Sequence, residues 1–250
     1  PAMRIGIGNE FKLPDYIPTR GHLMLQSKKI SKSRNWYIGL KDFLGIYPAD
    51  YLRFYLALIT PYSQDDLNFD WEEFASRINS ELIGNIGNFV NRALGFTQKS
   101  MAGVVPGTTE FDQSDKDAQE KINKFSGELM VLMQDNSLDK ALKKIIEFSA
   151  HFNQYFQKKE PWKGGAGSNN CILISVNAVR SLAISLYPFL PESSQKIWEQ
   201  VGMDGFVSAT PWSSMSEIAI KEGHKIGISS PLFKKIEASD IEANKAKLGK

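Results

Sequence analysis

From Pro48 onward apolar residues recur three and four positions apart, and that spacing predicts a protein built mainly of α-helices. The stretch PADYLRFYLALI comes first, with Pro48 suited to an opening turn and Tyr51, Tyr55, Leu56 and Ile59 at helical spacing. Asp70 announces the second helix. With Glu73 it forms a capping-box variant that can satisfy free N–H groups of the first turn, and the pattern runs over 71–99. Within it Ile78, Leu82, Ile86, Phe89 and Ala93 share an arc that can be buried. Ser114 with Asp117 opens a run to Gln134, and Ser137 opens another over 138–159. A segment over 169–187 stops at Tyr187-Pro188, and Pro191 begins a helix reaching Gln200. Five or six helices without a fixed-period repeat predict one irregular bundle rather than a solenoid.

Before Pro48 the pattern differs. That stretch holds five of the 19 glycines, Pro-bounded turns at Leu13-Pro14 and Ile17-Pro18, and the short apolar run Leu23-Met24-Leu25. It reads as the edge of an α/β domain whose sheet ends where the helices begin. After Trp212 the chain turns polar and is punctuated by Gly and Ser, then ends in a charged stretch over 234–250. The expected division is therefore 1–47, 48–212 and 213–250. The opening PAMRIGIGNEF is neither start-like nor tail-like, so the sequence reads as a piece of a longer protein.

Composition narrows the classes. Thirty basic and 28 acidic residues give a net charge of +2, which demands no polyanionic partner by itself. Cys171 is the single cysteine and lies in an apolar run, which excludes a disulfide framework and a thiolate zinc site and favours a reducing, cytoplasmic compartment. No metal site is expected. No uninterrupted apolar stretch reaches the ~18 residues of a membrane span, so no membrane partner is expected either.

Three features point to chemistry. Lys29-Ile30-Ser31-Lys32-Ser33, with Lys28 before and Arg34 after, sets four cations within seven residues, suited to gathering phosphate oxygens. The alternative is a solvated loop. On the second helix Glu81, Asn85, Asn88 and Arg92 fall within about 60° of arc, a stripe of base-bonding groups or simply a wet surface. Gly84 and Gly87 on a third side would let another backbone approach. Trp162 follows Pro161, is flanked by Lys158, Lys159 and Lys163, and precedes Gly164-Gly165-Ala166-Gly167. It could stack on an unpaired base while the lysines meet phosphate, or cap the end of the bundle.

The stretch LQSKKISKSRNWYI resembles the KMSKS signature of class I aminoacyl-tRNA synthetases, with Ile30 in the variable second place. GIYPADYLRFYL, DLNFDWEEFASRINSELIGNIGNFVNRALGF and KKEPWK resemble the methionyl-tRNA synthetase family in order and spacing over roughly residues 1–200. PLFKKIEASDIE resembles the family segment that returns from the helical domain onto the catalytic domain. The resemblance implies an α-helical anticodon-binding bundle after a small remnant of a Rossmann-type α/β catalytic domain. It gives Lys29 and Lys32 a catalytic role on the pyrophosphate of ATP, with Ile30, Ser31 and Ser33 completing the loop. It assigns Asn88 and Arg92 to the first cytosine of a CAU anticodon and Trp162 to stacking. ATP with Mg2+ would serve the full-length enzyme, and the partners would be the tRNA(Met) anticodon loop and the N-terminal catalytic domain. The family's HIGH motif, methionine pocket and zinc-bearing insertion all lie upstream of the signature, so the chain alone is expected to be a catalytically inactive, cofactor-free monomer. The alternatives are the same portion of another class I synthetase (Ile, Val, Leu or Cys) and a helical scaffold for protein partners.

Overall fold

The computed structural model describes residues 14–249. Leu13 of the Leu13-Pro14 turn, the opening stretch before it and Lys250 lie outside the described residues. A small sheet leads, with strand β1 (Leu23–Leu25) antiparallel to β2 (Lys28–Lys29) and parallel to β3 (Leu67–Phe69), in the order β2-β1-β3. The sheet therefore does not end at Pro48. Two helices, α1 (Leu40–Leu44) and α2 (Ala49–Ile59), intervene before β3 comes back beside β1. Phe69 anchors that return, its ring edge-on to Tyr55 and Trp71 at 5.2 and 5.0 Å.

Residues 71–100 are helical throughout but not uniformly wound. Helix α3 (Trp71–Arg77) passes into a π-helical segment (Ile78–Gly87) and then α4 (Asn88–Ser100). Asp70 caps the start, accepting from the Glu73 N–H at 2.9 Å. Ile78, Leu82, Ile86, Phe89 and Ala93 are all buried, as their spacing predicts. At Gly87 the close neighbour is a ring rather than a backbone, because a Cβ there would lie 3.0 Å from Phe233. Gly84 lies near only the Asn79 carbonyl of its own turn.

Helix α5 (Gln113–Gln134) begins at Asp112, not at Ser114. Asp112 accepts from the Asp115 N–H at 3.0 Å and the Asp115 carboxylate accepts from the Asp112 N–H at 3.2 Å, a reciprocal cap that a serine inside the first turn cannot make. Helix α6 (Leu138–Lys159) matches its expected span, and α8 (Pro191–Val201) overruns by one residue. Helix α7 (Ala166–Leu186) starts three residues before 169, after Gly165 at φ 109°. It contains a window (Gly167–Leu186) long and apolar enough to cross a membrane, yet 94% of that window is buried here, among α4, α5, α6 and α8. It is the central helix of the bundle.

The tail crosses back over the starting elements. The backbone at Lys234 bonds Tyr51 Oη both ways at 2.7 and 2.8 Å, and Ile236 does the same with the Asn79 amide at 2.8 and 3.0 Å. Helix α9 (Ala238–Lys245) then sets Asn244 on Tyr47 Oη at 3.2 Å, and the Gly249 N–H reaches the Asn35 carbonyl at 2.9 Å. The last residues thus rest on the turn that follows the lysine-rich loop.

Candidate phosphate loop and nucleic-acid interface

The loop over residues 29–36 is pinned at its base and open at its tip. Ser31 and Trp36 exchange both backbone hydrogen bonds at 2.8 Å, and the Trp36 indole donates to the Leu25 carbonyl at 2.8 Å. Lys32–Arg34 form a single 3-10 turn that closes on Asn35 in the left-handed region at φ 48°. Ser31 Oγ and Ser33 Oγ lie 3.2 Å apart. The Lys28 ammonium sits 4.4 Å from the Trp36 ring centre. Lys29, Ile30, Lys32 and Ser33 are exposed, and neither Lys29 nor Lys32 has an ion-pair partner among the described residues. The donors are cations and hydroxyls, which suits phosphate oxygens. No group of three or more His, Cys, Asp or Glu side chains able to hold a metal occurs among the described residues.

His22, beside this loop, is exposed and faces Asp66 at 3.4 Å. The His22 backbone N–H, donating to Asp66, holds that carboxyl below its usual range.

The second group of residues sits where α4, α6 and the α6–α7 turn meet. Pro161 disfavours right-handed helix at the residue before it, and Glu160 takes the left-handed conformation at φ 44°, which ends α6. The following turn, Pro161–Lys163, holds Trp162 outward, 45% exposed and tilted against Phe156 at 6.3 Å. Arg92 packs against both rings, its guanidinium 5.2 Å from the Phe156 ring centre and 5.9 Å from that of Trp162. Arg92 and Trp162 line an open cleft of about 610 Å³, and Asn88 lines an adjoining one of about 500 Å³. The two share Asn91 as a common wall.

The polar stripe faces α6 as much as solvent. Asn85 donates to the Ile146 carbonyl at 2.9 Å, Asn88 to Asn153 Oδ1 at 3.1 Å, and Arg92 to Gln157 Oε1 at 2.8 Å. Glu81 is tied to Arg77 one turn back. Asn153 and Gln157 were not legible as site residues, although they stand four apart on α6 beside Phe152 and Phe156, a polar strip on an aromatic face. Of the three lysines near Trp162, Lys159 is withdrawn from phosphate duty. Its side chain is 9% exposed, and its ammonium is held by Asp112 at 2.7 Å and by Asp115. Lys163 pairs with Glu160 at 2.7 Å in the open, a weak contact, and Lys158 is exposed.

Residues 105–250 match the family described as the anticodon binding domain of methionyl tRNA ligase, and residues 1–94 match class I tRNA synthetases (M). The chain is 39% identical over 236 residues to the methionine–tRNA ligase of Pyrococcus horikoshii, covering 93% of this chain and 32% of that protein. For the Pyrococcus furiosus protein of the same name the identity is 40% over 236 residues, again with 93% and 32% covered. The chain thus spans about a third of the length of these curated relatives. Among solved structures, the free Mycobacterium tuberculosis methionyl-tRNA synthetase superposes with a TM-score of 0.74 at 20% identity, over 87% of this chain and 43% of that one. Its methionyl-adenylate complex gives 0.75 at 20% identity, over 85% and 43%. At that identity the likeness shows the fold alone.

Proposed function

The chain belongs to the methionyl-tRNA ligase family, and from that premise we propose that it reads the CAU anticodon of tRNA(Met) and carries the phosphate-handling loop of the catalytic domain. The parent enzyme joins methionine to tRNA(Met) with ATP and its magnesium, in the cytoplasm, and this portion works against the rest of its catalytic domain. One observation carries the reading. A guanidinium and two amides from one helix, Arg92, Asn88 and Asn91 of α4, meet the outward indole of Trp162 from the α6–α7 turn at two joined clefts open to solvent. Directional donors beside a stacking surface are what recognition of an unpaired base requires.

Lys29 and Lys32 take the pyrophosphate, with Ser31 and Ser33 as neutral donors and Ile30 between them. Charge moves onto the departing pyrophosphate as the methionine carboxylate attacks the α-phosphorus. A cation placed there stabilises the transition state more than the ground state.

Stem-loop binding tests the reading. The chain is expected to prefer a CAU loop over one with an altered first base. Arg92→Ala and Asn88→Ala should lose about 2 kcal/mol, chiefly in first-base discrimination. Trp162→Ala should lose about 2 kcal/mol evenly across loops, since any base can stack. Lys158→Ala should flatten the salt dependence and leave the preference unchanged. Wild-type binding without a first-base preference would remove the anticodon assignment.

A further inference from the structure

Three side-chain amides beside Arg92 form a chain whose polarity is dictated by backbone. The Asn85 amide nitrogen donates to the Ile146 carbonyl at 2.9 Å. A carbonyl only accepts, so Asn85 Oδ1 must face the other way, where it accepts from Asn153 Nδ2 at 3.2 Å. That same nitrogen also donates to the Asn85 backbone carbonyl at 3.0 Å, a second group that can only accept. The Asn153 amide is therefore fixed twice over, with its oxygen toward Asn88. Asn88 meets that oxygen with its nitrogen at 3.1 Å. Amide orientation follows here from the hydrogen-bond network, since each link has only one permitted sense.

We infer that Asn153 is a positioning residue for base selection, orienting the Asn88 amide so that it offers its oxygen, a pure acceptor, to a base in the cleft. The inference rests on the anticodon reading above. An acceptor at that place favours a base with an exocyclic amine on its pairing edge and opposes one with a carbonyl there. Cytosine carries an amine where uracil carries O4, so the device separates the two pyrimidines, which barely differ in size or stacking. Arg92, one helical turn further, is donor-only and can serve the ring nitrogen and carbonyl of cytosine, leaving its contact with Gln157 to hold the guanidinium. The Asn153 backbone carbonyl also lies 3.5 Å from Arg92 Nη1, so this one residue touches both reading side chains. The buried end of the chain is what gives the exposed end its sense. An isolated surface asparagine could rotate by half a turn and offer its nitrogen to uracil equally well.

The test compares CAU and UAU stem-loops on the 250-residue chain and two variants at position 153. Asn153→Ala frees the Asn88 amide to rotate. The ratio of the two dissociation constants should shrink about tenfold, partly because the UAU loop gains or holds affinity while the CAU loop loses it. Asn153→Asp keeps an obligate acceptor facing Asn88 and should retain most of the ratio, although its second oxygen then opposes the two Asn85 oxygens and lowers affinity for both loops together. A merely structural Asn153 would weaken both loops together and leave the ratio unchanged in the alanine variant, which overturns the inference. So would an aspartate variant that loses discrimination as fully as alanine. If the wild-type chain itself fails to separate CAU from UAU, the anticodon reading has failed instead.

Discussion

In the full-length enzyme, Lys32→Ala is expected to slow methionyl-adenylate formation about 100-fold, with little change in methionine affinity. Removing one group that meets charge as it develops costs this much or more in other sites, and the open setting of the loop argues for the lower end. The geometry separates this side chain from the fold. The Ser31–Trp36 backbone pair and the Trp36 indole bond secure the base of the loop, whereas the Lys32 ammonium takes part in no ion pair among the described residues. Truncation should therefore leave the turn standing. Pre-steady-state adenylate formation at saturating methionine reads the chemical step, and the same assay across methionine concentrations reads binding. A fall in methionine affinity equal to the fall in rate would move Lys32 to a structural role.

The helices were legible because their signals are local. Asp70, Ser137, Pro188 and Pro191 mark starts and stops within a few residues of the event, and the apolar arc from Ile78 to Ala93 needed only its own periodicity. What escaped depends on contacts distant in sequence. Strand β3 is three residues wedged between two helices, and only its pairing with Leu23–Leu25 makes it a strand. Ser114 reads as a cap from the sequence because serine is a capping residue, whereas the cap at Asp112 is set by its reciprocal bonds with Asp115. The site divides in the same way. Lys29, Lys32, Asn88, Arg92 and Trp162 were picked out by motif and resemblance. Asn153 and Gln157 look like solvent-facing residues of α6 until α4 is laid against them. Lys159 shows the converse error: a lysine beside an exposed tryptophan suggests phosphate, yet two acidic side chains of the α5 cap already hold it.

That cap carries the largest expected effect on stability, because Asp115→Ala should destabilise the chain by about 3 kcal/mol. The Asp115 side chain is 1% exposed and takes four donors at once. It accepts from the Asp112 N–H at 3.2 Å, Tyr155 Oη at 2.7 Å, the Asn170 amide at 3.1 Å and the Lys159 ammonium. It thereby fastens the start of α5 to the last turns of α6 and to the start of α7. Burial pushes the Tyr155 phenol well above its ordinary range, so it remains a proton donor throughout the accessible pH range. Removing one partner of a buried pair costs about 3–5 kcal/mol, because the groups left behind stay desolvated. Asp112 still holds Lys159 from the exposed side, which puts the expected loss at the low end. Asp115→Asn should lose less, since it can still accept from Tyr155 and keep the shape of the site. Urea unfolding of the three proteins, with the slope of the transition compared as well as its midpoint, measures this directly. A loss under about 1 kcal/mol for alanine would show that the junction is held by apolar packing, whereas an asparagine loss as large as that of alanine would assign the stabilisation to the carboxylate charge on Lys159 rather than to the hydrogen bond from Tyr155. Because Lys159 lies three residues before Trp162, the alanine variant should also lower affinity for every stem-loop without altering first-base preference, linking the stability of the cap to the setting of the stacking platform.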